Sequence, residues 1–133
     1  MTILLLLLGP TLSHAQNCSV KYDSIEGRSY YILTDQMPTY TEGFENLKKT
    51  INKNLKWPGA RCCLDGAVYV SFVVEPDGRL TNRKVAKGLS NQPVCDADRE
   101  ALRVLTFLDG WIPGECDGKR VPVEVIIPIK FSL

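Results

Sequence analysis

The sequence predicts a small α+β domain whose elements run in the order helix, β-hairpin, helix and long final strand. Three observations predict this class: two segments with apolar residues at helical spacing, a strand–turn–strand pattern between them, and a final segment of strict apolar alternation. The chain has 133 residues, 44% of them hydrophobic, which suits one domain with an ordinary core. The net charge of +1 favours neither nucleic acid nor an acidic membrane surface as a partner.

Residues 1–15 have a pattern typical of a cleaved signal peptide. Residues 3–8 are an unbroken apolar run, and Ser13 and Ala15 are small residues at the two positions that a signal peptidase recognises. The run is too short for a transmembrane helix, which needs roughly 20 apolar residues. We therefore expect export, with a mature chain that starts near Gln16 and carries no evident membrane anchor.

Cleavage at this point removes His14, which is the only histidine. The mature chain then has no imidazole for nucleophilic catalysis or for metal binding, so we expect no enzyme activity, no metal and no cofactor. We also expect no small-molecule substrate, because no set of paired acids or nucleophiles is evident. Three carboxylates that precede or begin the second helix, Asp96, Asp98 and Glu100, are explained by the positive end of the helix dipole.

Export also places five cysteines in a compartment where disulfides persist. Cys62 and Cys63 precede the first hairpin strand and Cys95 follows the second, so a bridge from either of the first two to Cys95 is favoured. It would close a loop of about thirty residues and contribute roughly 3–4 kcal/mol. Cys116 is expected to pair with Cys18 or to stay free. Adjacent cysteines are poor ligand spacing, so a zinc site is not predicted.

The first part of the chain divides into an extension and the start of the domain. Residues 16–36 are polar, with one β-prone stretch at residues 30–33, and the predicted domain covers residues 37–133. Thr41 is the expected N-cap of the first helix, with Glu42 in its first turn. Pro58 ends the helix, because the residue before a proline is disfavoured in the α region. Its apolar face is predicted to comprise Phe44, Leu47, Ile51 and Leu55.

The hairpin and the second helix follow. Residues 66–74 and 80–87 are predicted strands, joined by a turn at residues 75–78. The apolar residues of the second strand differ in parity, which predicts either a bulge or a late start of that strand. The second helix begins after Cys95, is stopped at residues 109–110, and is followed by a turn at residues 111–114. Its apolar face is predicted to comprise Ala97, Ala101, Val104, Leu105 and Leu108. Both tryptophans are expected to lie in or over the core.

The final segment, residues 121–133, predicts a long strand with one buried face, because every odd position is apolar. Pro122 and Pro128 are both at even positions, so the two missing N–H donors fall on one lateral side. This pattern is typical of an edge strand that is open on that side, while the odd residues pair with a neighbour. The expected partner-binding edge consists of Glu124, Val125, Ile126, Ile127, Pro128 and Lys130.

An ordered set of residues carries a resemblance to a known family. The set is Met37, Pro38, Phe44, Leu55, Lys56, Trp57, Pro58, Gly66, residues 70–74, Asp77, Gly78, Asp96, residues 100–104, residues 111–114, Gly118, Lys119, Val121 and residues 129–131. In this order the set resembles the C-terminal domain of TonB-type energy transducers, over residues 37–133. The turn Trp-x-Pro-Gly before the final strand is its most specific part.

The resemblance implies a three-stranded antiparallel sheet with both helices on one face and the last strand at an edge. It further implies a periplasmic domain whose last strand binds the N-terminal segment of an outer-membrane TonB-dependent receptor by β-augmentation. The membrane anchor and long spacer of a working transducer are not evident, so we expect a binding module, with a truncated start as the other interpretation. The alternative function is an exported, disulfide-stabilised interaction or homodimerisation module with no transport role.

Overall fold

The computed structural model describes residues 18–59, 61–89 and 95–132. The predicted signal peptide, residues 1–15, lies outside these residues. The described part confirms the α+β class, and none of its helices is long and apolar enough to cross a membrane. Its elements are β1 (Ser19–Asp23), β2 (Arg28–Leu33), β3 (Thr39–Tyr40), α1 (Phe44–Asn54), β4 (Gly66–Val74), β5 (Leu80–Lys87), α2 (Ala97–Val104), β6 (Trp111–Ile112), β7 (Gly114–Cys116), β8 (Lys119–Val121) and β9 (Val123–Phe131).

The main sheet has five strands in the order β1-β2-β9-β4-β5, so the expected three-stranded sheet is wrong in number. It is also not wholly antiparallel, because β2 runs parallel to β9. The two additional strands come from the N-terminal extension, which folds into a hairpin. Its turn is closed by the Asp23 carboxylate, which accepts hydrogen bonds from the backbone N–H groups of Ile25 and Glu26 at 2.9 and 3.1 Å.

The hairpin of β4 and β5 has the predicted turn, and of the two alternatives for β5 it has the bulge, since the strand starts at Leu80. Gly78 has a φ of +87° and donates its N–H to Glu75 O at 2.8 Å, which closes the turn. The register changes between Ser71 and Val73, and Asn82 on β5 has a φ of +51°. Asn82 lies at this bulge, where β5 has one residue more than β4. The extra residue lets Leu80 and Val85, which differ in parity, both pack against the core.

Helix α1 starts later than expected. Gly43, not Thr41, is the N-cap, and it makes no side-chain capping bond. The N–H and the hydroxyl of Thr41 instead both donate to Gly110 O, which fixes Thr41 against the loop after the second helix. Leu47 and Ile51 are buried as predicted, whereas Phe44 is 63% exposed. The helix ends at Asn54, before the proline that was expected to stop it.

Helix α2 confirms its prediction. The Asp96 side chain accepts the N–H of Arg99 at 2.9 Å, as an N-cap does. The expected apolar face is buried, and a short 3₁₀ turn, Leu105–Phe107, continues it. Both helices bury residues in one core cluster with the even positions of β4, which are Val68, Val70, Phe72 and Val74. Trp111 belongs to this core, and Trp57 packs against it.

Two expectations for the end of the chain are corrected. Residues 111–114 do not form a simple turn, because Trp111 and Ile112 pair with β3 in a small second sheet. The long final strand is interrupted at Pro122, which separates β8 from β9, and β8 pairs with β7. In addition, β9 is not an edge strand along its whole length, since β2 covers its start.

Candidate partner-binding edge

Strand β9 has one face in the core and one face outside it. Val123, Ile127, Ile129 and Phe131 are buried, as the alternation predicted. Ile126, Pro128 and Lys130 are exposed, and Ile126 retains 53% of its accessible surface. The even positions therefore present an apolar and basic row outside the core.

The lateral sides of β9 are fixed by two observations. On one side, β4 pairs with all nine residues of the strand, from Gly66 opposite Phe131 to Val74 opposite Val123. On the other side, Pro122 O accepts the N–H of Tyr31 at 2.8 Å. Since N–H and C=O of one residue point to the same lateral side of an extended chain, the even residues of β9 direct their backbone groups away from β4.

This second side is covered only at its beginning. The register of β2 on β9 consists of one pair, Tyr31 opposite Val123. The amide of Glu124 faces β2, and its carboxylate lies 4.0 Å from Lys21 Nζ of β1. No strand of the described residues pairs with residues 126–130 on this side, so backbone groups of that stretch are open to a further strand.

A groove runs along the open stretch on the helix side of the sheet. It has a volume of about 180 Å³. Its residues come from α1 and from β9, and they are Phe44, Leu47, Lys48, Ile51, Asn52, Ile127, Pro128 and Lys130. This set is mostly apolar, with two lysines and no carboxylate. Of the predicted edge residues, Ile127 lies in this groove rather than on the outer face, and Val125 packs partly against the core.

The hairpin beside the open stretch is anchored by an aromatic ring and an ion pair. Tyr30 is 1% exposed, and its burial together with the nearby Glu124 carboxylate raises the pKa of Tyr30 to about 12. The Arg28 guanidinium donates to both carboxylate oxygens of Glu75, at 3.1 and 2.7 Å. Such a bidentate pair fixes geometry better than a single contact does.

The structure contains two disulfides. Cys62 pairs with Cys95, across the ends of the β4–β5 hairpin, and Cys18 pairs with Cys116. Cys63 is exposed and free. Cys18, Cys116 and Asp35 come close enough for a metal site, but two of these three donors are sulfurs of one disulfide and do not serve as thiolate ligands.

The carboxylates of α2 are all engaged in structural hydrogen bonds. Asp98 accepts the N–H of Leu89 at 3.0 Å, and Glu100 accepts the N–H of Lys56 at 2.7 Å. Burial by itself disfavours the charged form of Glu100, but hydrogen bonds from Arg103 and Lys56 outweigh it and lower its pKa. These contacts connect α2 to the segments that follow β5 and α1. They are structural contacts, in agreement with the prediction that these acids belong to the start of a helix.

Sequence reasoning missed the residues that frame the edge. Phe44 was assigned to the core, yet it forms the rim of the groove. Lys48 was not singled out, although its spacing of four from Phe44 places both on one helix face. Tyr31 lay in a stretch predicted to be β-prone, but nothing local indicated that its neighbour would be β9.

Comparison with known proteins gives one family. The family model described as "Gram-negative bacterial TonB protein C-terminal" matches residues 60–133, more than half of the chain. The match begins just after α1 and includes both hairpin strands, α2 and β9. Comparison of the chain with curated proteins and with solved structures found no match.

Proposed function

The chain belongs to the family of Gram-negative bacterial TonB protein C-terminal domains, and on this premise we propose that it binds the N-terminal segment of an outer-membrane receptor by strand addition to β9. The family is periplasmic, non-enzymatic and associated with transport, and its members interact with outer-membrane receptors. The proposed role is that of a binding module within TonB-dependent transport.

The observation that carries the proposal is the open lateral side of β9 beyond Val123. Ile126 and Lys130 each offer a backbone N–H and C=O there, and Pro128 offers a C=O. A net backbone hydrogen bond contributes roughly 0.5–1.5 kcal/mol, so a few of them give only modest affinity. This suits a reversible contact.

The groove supplies selectivity for the added strand. In an added strand, alternate side chains point to the helix side, where they meet Phe44, Leu47 and Ile51. The remaining side chains lie beside Ile126 and Pro128 on the outer face. Main-chain pairing therefore provides a general affinity, and the two rows of side chains determine which segment fits.

The test is an NMR titration of the oxidised domain with N-terminal peptides from outer-membrane receptors of the same organism. We expect shifts concentrated in residues 123–131 and in α1. Ile126→Pro removes one N–H from the lateral side of β9 that faces away from β4, as Pro128 already does. It should weaken binding roughly threefold to tenfold. Ile126→Ala is the matched control, because it trims the same side chain but keeps the amide.

Three outcomes distinguish the possibilities. Equal weakening by both substitutions would show that the side chain, not strand pairing, determines binding. A flat titration with every peptide would refute the proposal. If that flat titration accompanies a dimer that Ile126→Pro dissociates in sedimentation measurements, the edge serves homodimerisation with no transport role.

A further inference from the structure

We propose that the β1–β2 hairpin is an exchangeable cover on the first half of the β9 edge, held in place by the Cys18–Cys116 disulfide. The inference deepens the proposed function, because the position of the hairpin determines how long a strand the edge accepts. Its first test, however, needs no partner.

The hairpin occupies the same lateral side of β9 that is open further along. Its backbone pairs with β9 only at Tyr31, whose N–H is bonded to Pro122 O and whose register partner is Val123, and Lys21 of β1 adds a 4.0 Å contact to the Glu124 carboxylate. By contrast, β4 pairs with all nine residues of β9 on the other side. Removing β2 from β9 therefore disrupts one backbone register pair and the hairpin's side-chain contacts with Glu124, while removing β4 disrupts all nine register pairs of β9.

Most of the hairpin surface faces solvent. In β1, four of the five residues are exposed, and in β2 both Ile32 and Leu33 are about half exposed, at 46% and 49%. Its five-pair register lies between its own two strands, not with the rest of the domain. Only Tyr30 is fully buried, and the Arg28–Glu75 and Lys21–Glu124 ion pairs are the other anchors of its side chains. The hairpin is thus a unit that is bonded internally and attached at few points.

The disulfide determines where the hairpin goes when those few contacts break. Cys18 immediately precedes β1, and Cys116 ends β7, close in sequence to the start of β9. With the bridge intact, an undocked hairpin stays tethered at both of its ends, so it recloses at high effective concentration. Without the bridge, only the chain after Leu33 retains it, and the open state becomes more populated.

An incoming strand competes with this cover at a defined place. A segment bound at residues 126–130 passes the hairpin without contact, whereas one that continues toward Val123 meets Leu33 and Tyr31 of β2. Opening the cover adds the amide of Glu124 and the carbonyls of Pro122 and Glu124 to the available edge. Long segments therefore gain from opening, and short segments do not.

The first experiment measures amide hydrogen exchange in the Cys18→Ser/Cys116→Ser double variant. The Glu124 amide faces β2, while the Val125 and Ile127 amides of the same strand face β4. We expect exchange at Glu124 to accelerate at least tenfold with little change at the other two, which serve as internal references for global stability. Cys63→Ser is the matched control, because it removes an exposed thiol that is not in a disulfide.

A second variant keeps the disulfides intact. Arg28→Ala breaks the ion pair with Glu75 and should accelerate the same amide by a smaller factor. Unchanged Glu124 exchange in both variants, or equal acceleration at all three amides, would overturn the cover and leave the hairpin as a permanent part of the sheet.

The second experiment uses two receptor peptides of different length in the same titration. In the double variant we expect the long peptide to bind several-fold tighter and the short one to bind as before. An identical change for both peptides would overturn the inference while leaving strand addition in place. Faster Glu124 exchange with no binding of either peptide would support the cover and refute the proposed function.

Discussion

Glu100 connects the two helices, and its replacement by Gln tests how much that connection stabilises the domain. Its side chain is 11% exposed and accepts three hydrogen bonds, from Lys56 N at 2.7 Å and from Arg103 Nε and Nη2 at 2.8 and 2.6 Å. The same Arg103 guanidinium donates to Asn54 O, the last residue of α1, at 2.7 Å. One carboxylate therefore orients the arginine that holds the end of α1.

The expected loss in Glu100→Gln is about 2–3 kcal/mol of the free energy of unfolding at pH 7. A hydrogen bond to a charged group contributes roughly 1.5–3 kcal/mol, and the partly exposed Arg103 places its share at the low end. The Gln side chain also replaces one acceptor oxygen with an NH₂ group. Whichever oxygen it replaces, this group faces an N–H donor of Arg103 and cannot accept its hydrogen bond. Urea unfolding of the oxidised protein at pH 7 measures this difference.

The pH dependence gives the decisive comparison. The pKa of Glu100 is lowered in the folded state, so its ionisation stabilises the domain above the unfolded value of 4.5, and this contribution disappears as the pH falls through the folded value. The difference between wild type and variant should therefore shrink toward pH 2–3. Glu45→Gln is the control, because the Glu45 side chain is 81% exposed, with only a 3.9 Å contact to Lys48. A difference that stays the same from pH 7 down to the lowest pH at which both proteins remain folded would refute the electrostatic reasoning.

Two further substitutions test the hairpin. Gly78→Ala should destabilise the domain by about 2–3 kcal/mol in thermal or urea unfolding, because φ is +87° and an added Cβ would lie 2.7 Å from Trp111 O. Cys62→Ser/Cys95→Ser should cost about 3–4 kcal/mol, since the bridge closes a loop with a sequence separation of 33. For the glycine, Gly27→Ala is the comparison, with φ +65° and no atom within 4 Å of the added Cβ, and it should cost only about 1 kcal/mol. For the disulfide, Cys63→Ser should change stability by less than about 0.5 kcal/mol. Losses that do not exceed those of the comparison variants would contradict both explanations.

The elements that the sequence predicted correctly are those specified by local chemistry. The start of the second helix at Asp96, the turn at Gly78 and the irregularity in β5 each follow from residues within a few positions of one another. The lateral side of β9 was also predictable, because two prolines of the same parity remove donors from one side by covalent structure alone. That side is where Tyr31 reaches Pro122.

The elements that the sequence did not predict depend on distant parts of the chain. Thr41 is a good capping residue, but Gly110, 69 positions away, occupies both of its donors. The pairing of β2 with β9 joins Tyr31 to Val123, and no local pattern indicates which strand a β-prone stretch will join. The groove needs α1 and β9 together, so Phe44 was assigned to the core although it forms the rim.

The open edge of β9 is limited at its start and interrupted in its middle, and these limits bear on how it can be used. The hairpin covers the start of β9, and Pro128 lacks an N–H in the middle of the exposed stretch. A strand bound at residues 126–130 therefore pairs with amides only at Ile126 and Lys130, over a length of roughly 17 Å. This disfavours the long, continuous pairing that drives edge-to-edge aggregation, and it leaves room for the short segment that we propose as the partner. In the proposed complex few backbone bonds form, so discrimination among partners would depend on the groove. Substitutions at Phe44 or Lys48 should then alter partner preference more than substitutions on the outer face.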